Sequence, residues 1–198
     1  MGLLETPGWR IRAGALLLLA AALILVGLRH EPWRDEAQSW LLARDSTMFD
    51  LVWRNIRYEG TPPLWQLILQ IPARAGLPYR SMELIAVGIA WFGAALFAMN
   101  PRVPTIAAAM VPFTYFFAYQ YSIVARSYCL VLPLFGLLAL WHPSRHERPG
   151  RIYLVLNALA WVSAHAAVIA AALIGAHAWN ARQNWRKHTF WLVLTAVD

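Results

Sequence analysis

The sequence predicts an all-α fold: a polytopic bundle of transmembrane helices with interfacial helices in its first outside loop. The residues are 60% hydrophobic and 14% charged, with eleven tryptophans, a balance found in multi-span membrane proteins rather than in water-soluble domains. The apolar residues fall in long uncharged runs divided by short basic loops, the pattern left by retention of positive charge on the cytoplasmic side. Six of the ten acidic residues, Glu31, Asp35, Glu36, Asp45, Asp50 and Glu59, crowd into one loop behind the first run, while residues 84–146 contain none. Chemistry is therefore expected in that loop.

The first run, Ala13 to Leu28, is uncharged and follows Arg10 and Arg12. It has the positive and apolar regions of a signal peptide, but Leu28, Arg29 and His30 lead straight into charged sequence with no small-residue cleavage site. It reads as a retained first span with a cytoplasmic N-terminus. Further runs extend from Met82 to Met99, Val103 to Tyr121, Tyr128 to Trp141, Ile152 to Ala164, Ala166 to Trp179, and from Thr189 onward. Arg145, Arg148 and Arg151 mark one cytoplasmic loop, and Arg182, Arg186 and Lys187 mark another.

The stretch from Pro62 to Leu77 decides the parity of this topology. Its sixteen residues would make a helix of about 24 Å, short of the roughly 30 Å hydrocarbon core, and Pro72 interrupts the hydrogen-bond ladder. Gln66, Gln70 and Arg74 recur at steps of four and draw a polar stripe on an apolar helix, which suits a helix lying in the interface or dipping into it. Without it as a span, the region from Arg29 to about Arg80 lies outside and the short basic loops all lie inside. The chain reads as one transmembrane module over residues 1–198, and because it ends at Asp198 within an apolar run it is expected to be incomplete at its C-terminus.

Within residues 29–80, Thr47 and Asp50 have capping-box spacing. Phe49, Val52, Trp53 and Ile56 then form an apolar stripe opposite Arg54, Asn55 and Arg57, as in an amphipathic interfacial helix. Thr61 before Pro62 and Pro63 reads as a cap followed by prolines at a helix start.

The formal charge of +7 does not point to nucleic acid, because the basic residues sit beside hydrophobic runs and form no stripe on a soluble domain. The single cysteine, Cys129, excludes an intramolecular disulfide framework and any cysteine-pair metal site.

The densest polar constellation is His30-Glu31-Pro32-Trp33-Arg34-Asp35-Glu36-Ala37-Gln38, where the first span ends. Asp35 is the first candidate for a general base toward a hydroxyl. The same residue also fits the N-cap of a helix through Trp40 to Arg44, with Gln38 at the capping-box position. The position four after His30 is Arg34, so the two-histidine zinc helix is absent. A divalent ion shared between Asp35 or Glu36 and a phosphate is chemically open, and no residue is assigned as a metal ligand. Arg126, between two apolar runs, reads either as an anchor that snorkels to the interface or as a phosphate contact. Tyr119, Tyr121 and Tyr128 read as interfacial aromatics, and His165 as a packed or solvated histidine.

Three segments in order, Trp33-Arg-Asp-Glu-Ala-Gln38, Glu59-Gly-Thr-Pro-Pro-Leu-Trp65 and Ala125-Arg-Ser-Tyr128, together resemble the family 39-like glycosyltransferases of the GT-C type, which include protein O-mannosyltransferases and aminoarabinose transferases. The resemblance covers about residues 10–180. It implies a GT-C-like bundle in the plasma (inner) membrane that moves a sugar from a polyprenyl-phosphate donor to a lipid, glycan or protein acceptor on the outer, periplasmic face. By it, Asp35 and Glu36 are the catalytic candidates, and Arg126, Tyr128, Glu59, Arg74 and Arg57 are candidates for binding substrate or phosphate. Thr61 stands where many relatives have His, and Ser127-Tyr128 where many have Asp. The alternative is a noncatalytic lipid-binding or assembly subunit on the same module. A transporter would place ionisable groups in the middle of several spans, and the long runs here lack acids.

Overall fold

A computed structural model describes residues 8–55, 59, 61–180, 189 and 191, and among these all regular structure is helical. The main elements are α1 (Trp9–Gly27), α2 (Arg34–Asp45), α3 (Met48–Trp53), α4 (Leu64–Arg74), α5 (Ser81–Ala98), α6 (Thr105–Met110), α7 (Val131–Trp141), α8 (Pro149–Ala160) and α9 (Ala164–Asn180). Arg57 and Ile56, the loop carrying Arg182, Arg186 and Lys187, and all of the last apolar run but residues 189 and 191 lie outside the described residues.

Among the described residues three helices are long and apolar enough to cross a membrane: Trp9–Gly27, Ser81–Ala98 and the continuous helical run Ser127–Ser144. Between 22% and 33% of each apolar window is buried, so most of that surface faces outward, where hydrocarbon rather than protein would solvate it. On its inner side α1 buries Leu16, Leu19 and Leu23 against Ala94 and Ala98 of α5. A second cluster joins Trp40 of α2, Trp65 and Leu69 of α4, Met82 of α5, Leu132 of α7 and Leu156 of α8. Glycine sets the α5–α7 crossing: a Cβ on Gly93 would lie 2.6 Å from the Pro133 backbone nitrogen, and one on Gly136 would lie 2.8 Å from Leu96 Cβ. Small residues let two helix backbones approach that closely.

The run from Val103 to Tyr121 is not the single helix its hydropathy suggests. It breaks into α6, a 3₁₀ turn at Val111–Phe113 containing Pro112, an extended Thr114 and a π-helical turn at Phe116–Gln120. It nevertheless runs the length of α1. At one end the Arg12 guanidinium reaches Thr105 Oγ1 at 3.4 Å; at the other, the Tyr119 ring meets His30 edge-on at 6.2 Å. Inward-packed Ala108, Phe117 and Ile123 tie this irregular backbone to its neighbours, the circumstance in which non-helical chain is tolerated at membrane depth.

Arg12, a topology marker in sequence, is 1% exposed. Its guanidinium donates to the carbonyls of Ala98, Asn100 (3.1 Å) and Val103 (2.6 Å). It therefore satisfies acceptors at the C-terminal end of α5, where a cation also complements the helix dipole.

The region between α1 and α5 keeps one expected cap and corrects another. Thr47 Oγ1 accepts from the Asp50 backbone N–H at 3.0 Å and starts α3, whose Phe49 and Trp53 are exposed while Leu51 is buried. Thr61 caps nothing; Pro63 precedes α4 without a side-chain cap. α4 has eleven residues and is too short to span hydrocarbon. The two glutamines of its polar stripe face protein rather than water: Gln66 and Gln70 are buried and Ile71 is 76% exposed, while Arg74 at the end of the stripe is exposed. Gln70 Nε2 and Arg74 Nη2 donate to the Ser46 carbonyl at 3.0 and 3.3 Å. α4 thus closes the C-terminal end of α2.

Candidate functional site

α2 begins where Pro32 and an extended Trp33 (φ −78, ψ 159) hand over to Arg34. Trp33 has no acceptor with which to cap the helix. Glu36, in the N3 position, reaches back instead and accepts from the Trp33 backbone N–H at 2.6 Å, the return half of a capping box. The cap thus sits two residues before Asp35, so Asp35 is not the N-cap. It lies in the first turn, where the helix dipole favours an anion.

Glu36 is completely buried and fully engaged. Its Oε2 also meets His30 Nε2 at 3.0 Å, and its Oε1 accepts from the Ala125 backbone N–H at 2.6 Å. A buried carboxylate is tolerable only with such partners. The Ala125 bond clamps the turn at residues 122–126 onto the start of α2 across 89 positions of sequence.

That clamp delivers the next residue. Arg126 Nη1 donates to Asp35 Oδ2 at 2.7 Å, with the two side chains 26% and 54% exposed. The Arg126 guanidinium also lies over the Tyr128 ring, 5.6 Å from its centroid, and Tyr121 packs against Tyr128 at 6.0 Å. A solvent-accessible ion pair of this kind contributes about 0–1 kcal/mol. Either partner can therefore exchange the other for a stronger ligand at small cost.

Glu59 comes alongside, accepting from Gln38 Nε2, and Gln38 lies one turn beyond Asp35 on α2. Arg74 does not join this group. Its bond to Ser46 puts it at the far end of α2, about 16 Å along the axis from Asp35. Arg57 lies outside the described residues. Beside Arg126 an apolar cleft of about 320 Å³ opens between Phe116, Tyr121 and Tyr128 on one side and Phe135 and Ile169 on the other, with His165 among its lining residues.

The roles of two residues were not legible in sequence. His30, weighed there only as half of a zinc motif, is the buried partner of Glu36, its side chain 4% exposed. Tyr79 stacks edge-on against Trp40 at 6.0 Å, and its hydroxyl is buried with no hydrogen-bond partner among the described residues. Burial, with smaller contributions from Glu36 and Glu83, pushes that hydroxyl up to about 12. Both residues matter through contacts that no local spacing reveals.

Among the described residues no three His, Cys, Asp or Glu side chains converge as a metal site. Asp35 and Glu36 turn to different partners, Arg126 and the Ala125 backbone, so the adjacent carboxylates do not close on one ion as a pair. Comparison with protein-family models, curated proteins and solved structures gives no match to this chain.

Proposed function

We propose that this chain is the membrane module of a glycosyltransferase that moves a sugar from a polyprenyl-phosphate donor to a hydroxyl acceptor on the outer face of the membrane. The observation that supports this reading is the Asp35–Arg126 contact at 2.7 Å. It joins a proton acceptor to a phosphate-binding cation at one end of an apolar bundle, next to a cleft suited to an isoprenoid chain.

In the reaction the donor phosphate draws Arg126 into paired hydrogen bonds, which guanidinium forms well with phosphate. Asp35 is thereby released to face the acceptor. Its carboxylate takes the acceptor hydroxyl proton as the oxygen forms a bond to the anomeric carbon. The bond from that carbon to the phosphate oxygen breaks, and polyprenyl phosphate leaves with its charge held by Arg126. Direct displacement inverts the anomeric configuration. Glu36 and His30 orient the two reacting segments, and the tail, held in the apolar cleft, aligns the donor before reaction. The same reading puts the N-terminus in the cytoplasm of a cell whose plasma membrane the chain crosses several times.

The test is transfer from a panel of polyprenyl-phosphate sugars by the purified chain in lipid, beside Asp35→Asn. Product that depends on Asp35 supports the enzyme; donor binding without product supports a noncatalytic lipid-binding subunit; neither removes the donor class.

A further inference from the structure

The end of the bundle opposite Asp35 carries a second cavity. The helical run Ser127–Ser144 is about 27 Å long, and where it ends a cavity of about 160 Å³ lies between α7, α8 and α9. Leu138, Leu156 and Leu173 supply apolar walls, and His142, Arg145 and His177 line it as well. His177 is 7% exposed, stacked on His146 at 6.1 Å and edge-on to Tyr153 at 5.2 Å. Arg145 Nη1 donates to the His142 carbonyl at 3.1 Å, and among the described residues it forms no ion pair.

Charge retention on the cytoplasmic side explains why arginines occupy this loop, but that rule is satisfied by side chains in water. Arg145 is half-buried and lines this cavity. Arg148 and Arg151 add charge beside it, against Glu147 as the one acid in residues 142–151. Arg151 lies over the Trp141 ring at 5.6 Å, an aromatic at the level expected for the lipid headgroups. Leu173 is 39% exposed, so the apolar wall continues onto the lipid-facing surface.

We infer that this cavity binds the phosphodiester of an anionic phospholipid from the cytoplasmic leaflet, with an acyl chain lying along Leu173. Size and charge select that occupant. The volume lies below the roughly 300 Å³ at which sites for whole drug-sized ligands begin, so a phosphate group enters where a nucleotide does not. A basic cavity between helices favours a net-negative headgroup over one that also carries an ammonium. The inference rests on the membrane orientation of the proposed reading and is independent of any reaction at Asp35.

Native mass spectrometry of the delipidated full chain, titrated with phosphatidylglycerol or phosphatidylcholine, tests it. One phosphatidylglycerol is retained about tenfold more tightly than phosphatidylcholine, and Arg145→Gln abolishes that preference, as expected for loss of one charge-assisted contact. Arg10→Gln removes the same charge from an exposed site on α1 at the same end of the bundle and leaves the preference intact. Leu173→Trp, which keeps the charge and blocks the apolar wall, also abolishes it and serves where Arg145→Gln does not fold. Equal retention of the two lipids, equal loss with Arg10→Gln, or displacement of the lipid by inorganic phosphate that then binds alone would each overturn the assignment.

Discussion

Arg126 and Asp35 meet at 2.7 Å across 91 positions of sequence because their neighbours do: Glu36 holds the Ala125 backbone N–H at 2.6 Å. A buried, fully satisfied carboxylate thus positions an exposed and exchangeable ion pair.

Asp35→Asn keeps the shape of the side chain and removes its basicity. Transfer is expected to fall by about 10²-fold or more, with stability changed by no more than about 1 kcal/mol, because the pair is solvent-accessible. Single-turnover transfer and thermal unfolding of the same preparation check both parts. Wild-type rates in the variant would remove Asp35 from the reaction.

Arg126→Ala is expected to weaken binding of a polyprenyl-phosphate sugar by tenfold or more, since a charge-assisted hydrogen bond is worth roughly 1.5–3 kcal/mol. Donor titration in nanodiscs reads this directly. An unchanged dissociation constant would make Arg126 an interfacial anchor.

Glu36→Gln replaces one of the two accepting oxygens with an amide N–H₂, so whichever way the amide turns one backbone donor, the N–H of Trp33 or that of Ala125, loses its acceptor and meets another donor. Mismatch at a buried site costs about 1–3 kcal/mol for each group left unsatisfied. Lower thermal stability than either wild type or Asp35→Asn is the expected result. Equal stability in the two variants would contradict the clamp.

Tyr79 is expected to titrate late. Its hydroxyl is held up to about 12 in the folded chain against an ordinary value near 10, so the fold retains a proton that the unfolded chain gives up. The contribution to stability is complete below about pH 10 and is lost as pH rises toward about 12. The difference in ultraviolet phenolate titration between wild type and Tyr79→Phe isolates this group, and a phenolate appearing near pH 10 would contradict the burial.

Gly93→Ala should cost about 1–3 kcal/mol by overpacking the α5–α7 crossing. Gly88, on the same helix, has nothing within 4 Å of its would-be Cβ. Gly88→Ala should be neutral or stabilising by up to about 1 kcal/mol. Thermal unfolding of the pair in one detergent distinguishes a crossing constraint from a general helix effect.

By itself the sequence determined the elements whose cause is local. The run expected from Met82 to Met99 is α5, Ser81–Ala98, because an uninterrupted apolar stretch has few alternatives to a helix in a bilayer. The Thr47 cap was legible for the same reason, since donor and acceptor are three residues apart.

Only the tertiary structure decided what the polar residues face. Gln66 and Gln70 form the same stripe in sequence whether they meet water or the end of another helix, and they are buried. Arg12 looks like any basic flank, yet it closes α5 from 86 positions away. The run from Val103 to Tyr121 kept its course along α1 and lost its regularity at Pro112 and Thr114. Glu36 and Asp35 are chemically alike and adjacent, and the fold separates them into a buried clamp and an exposed partner for Arg126. Periodicity and capping encode neighbours within a few residues, whereas these distinctions depend on which distant backbone groups remain unsatisfied when the helices pack, and that is settled only in three dimensions.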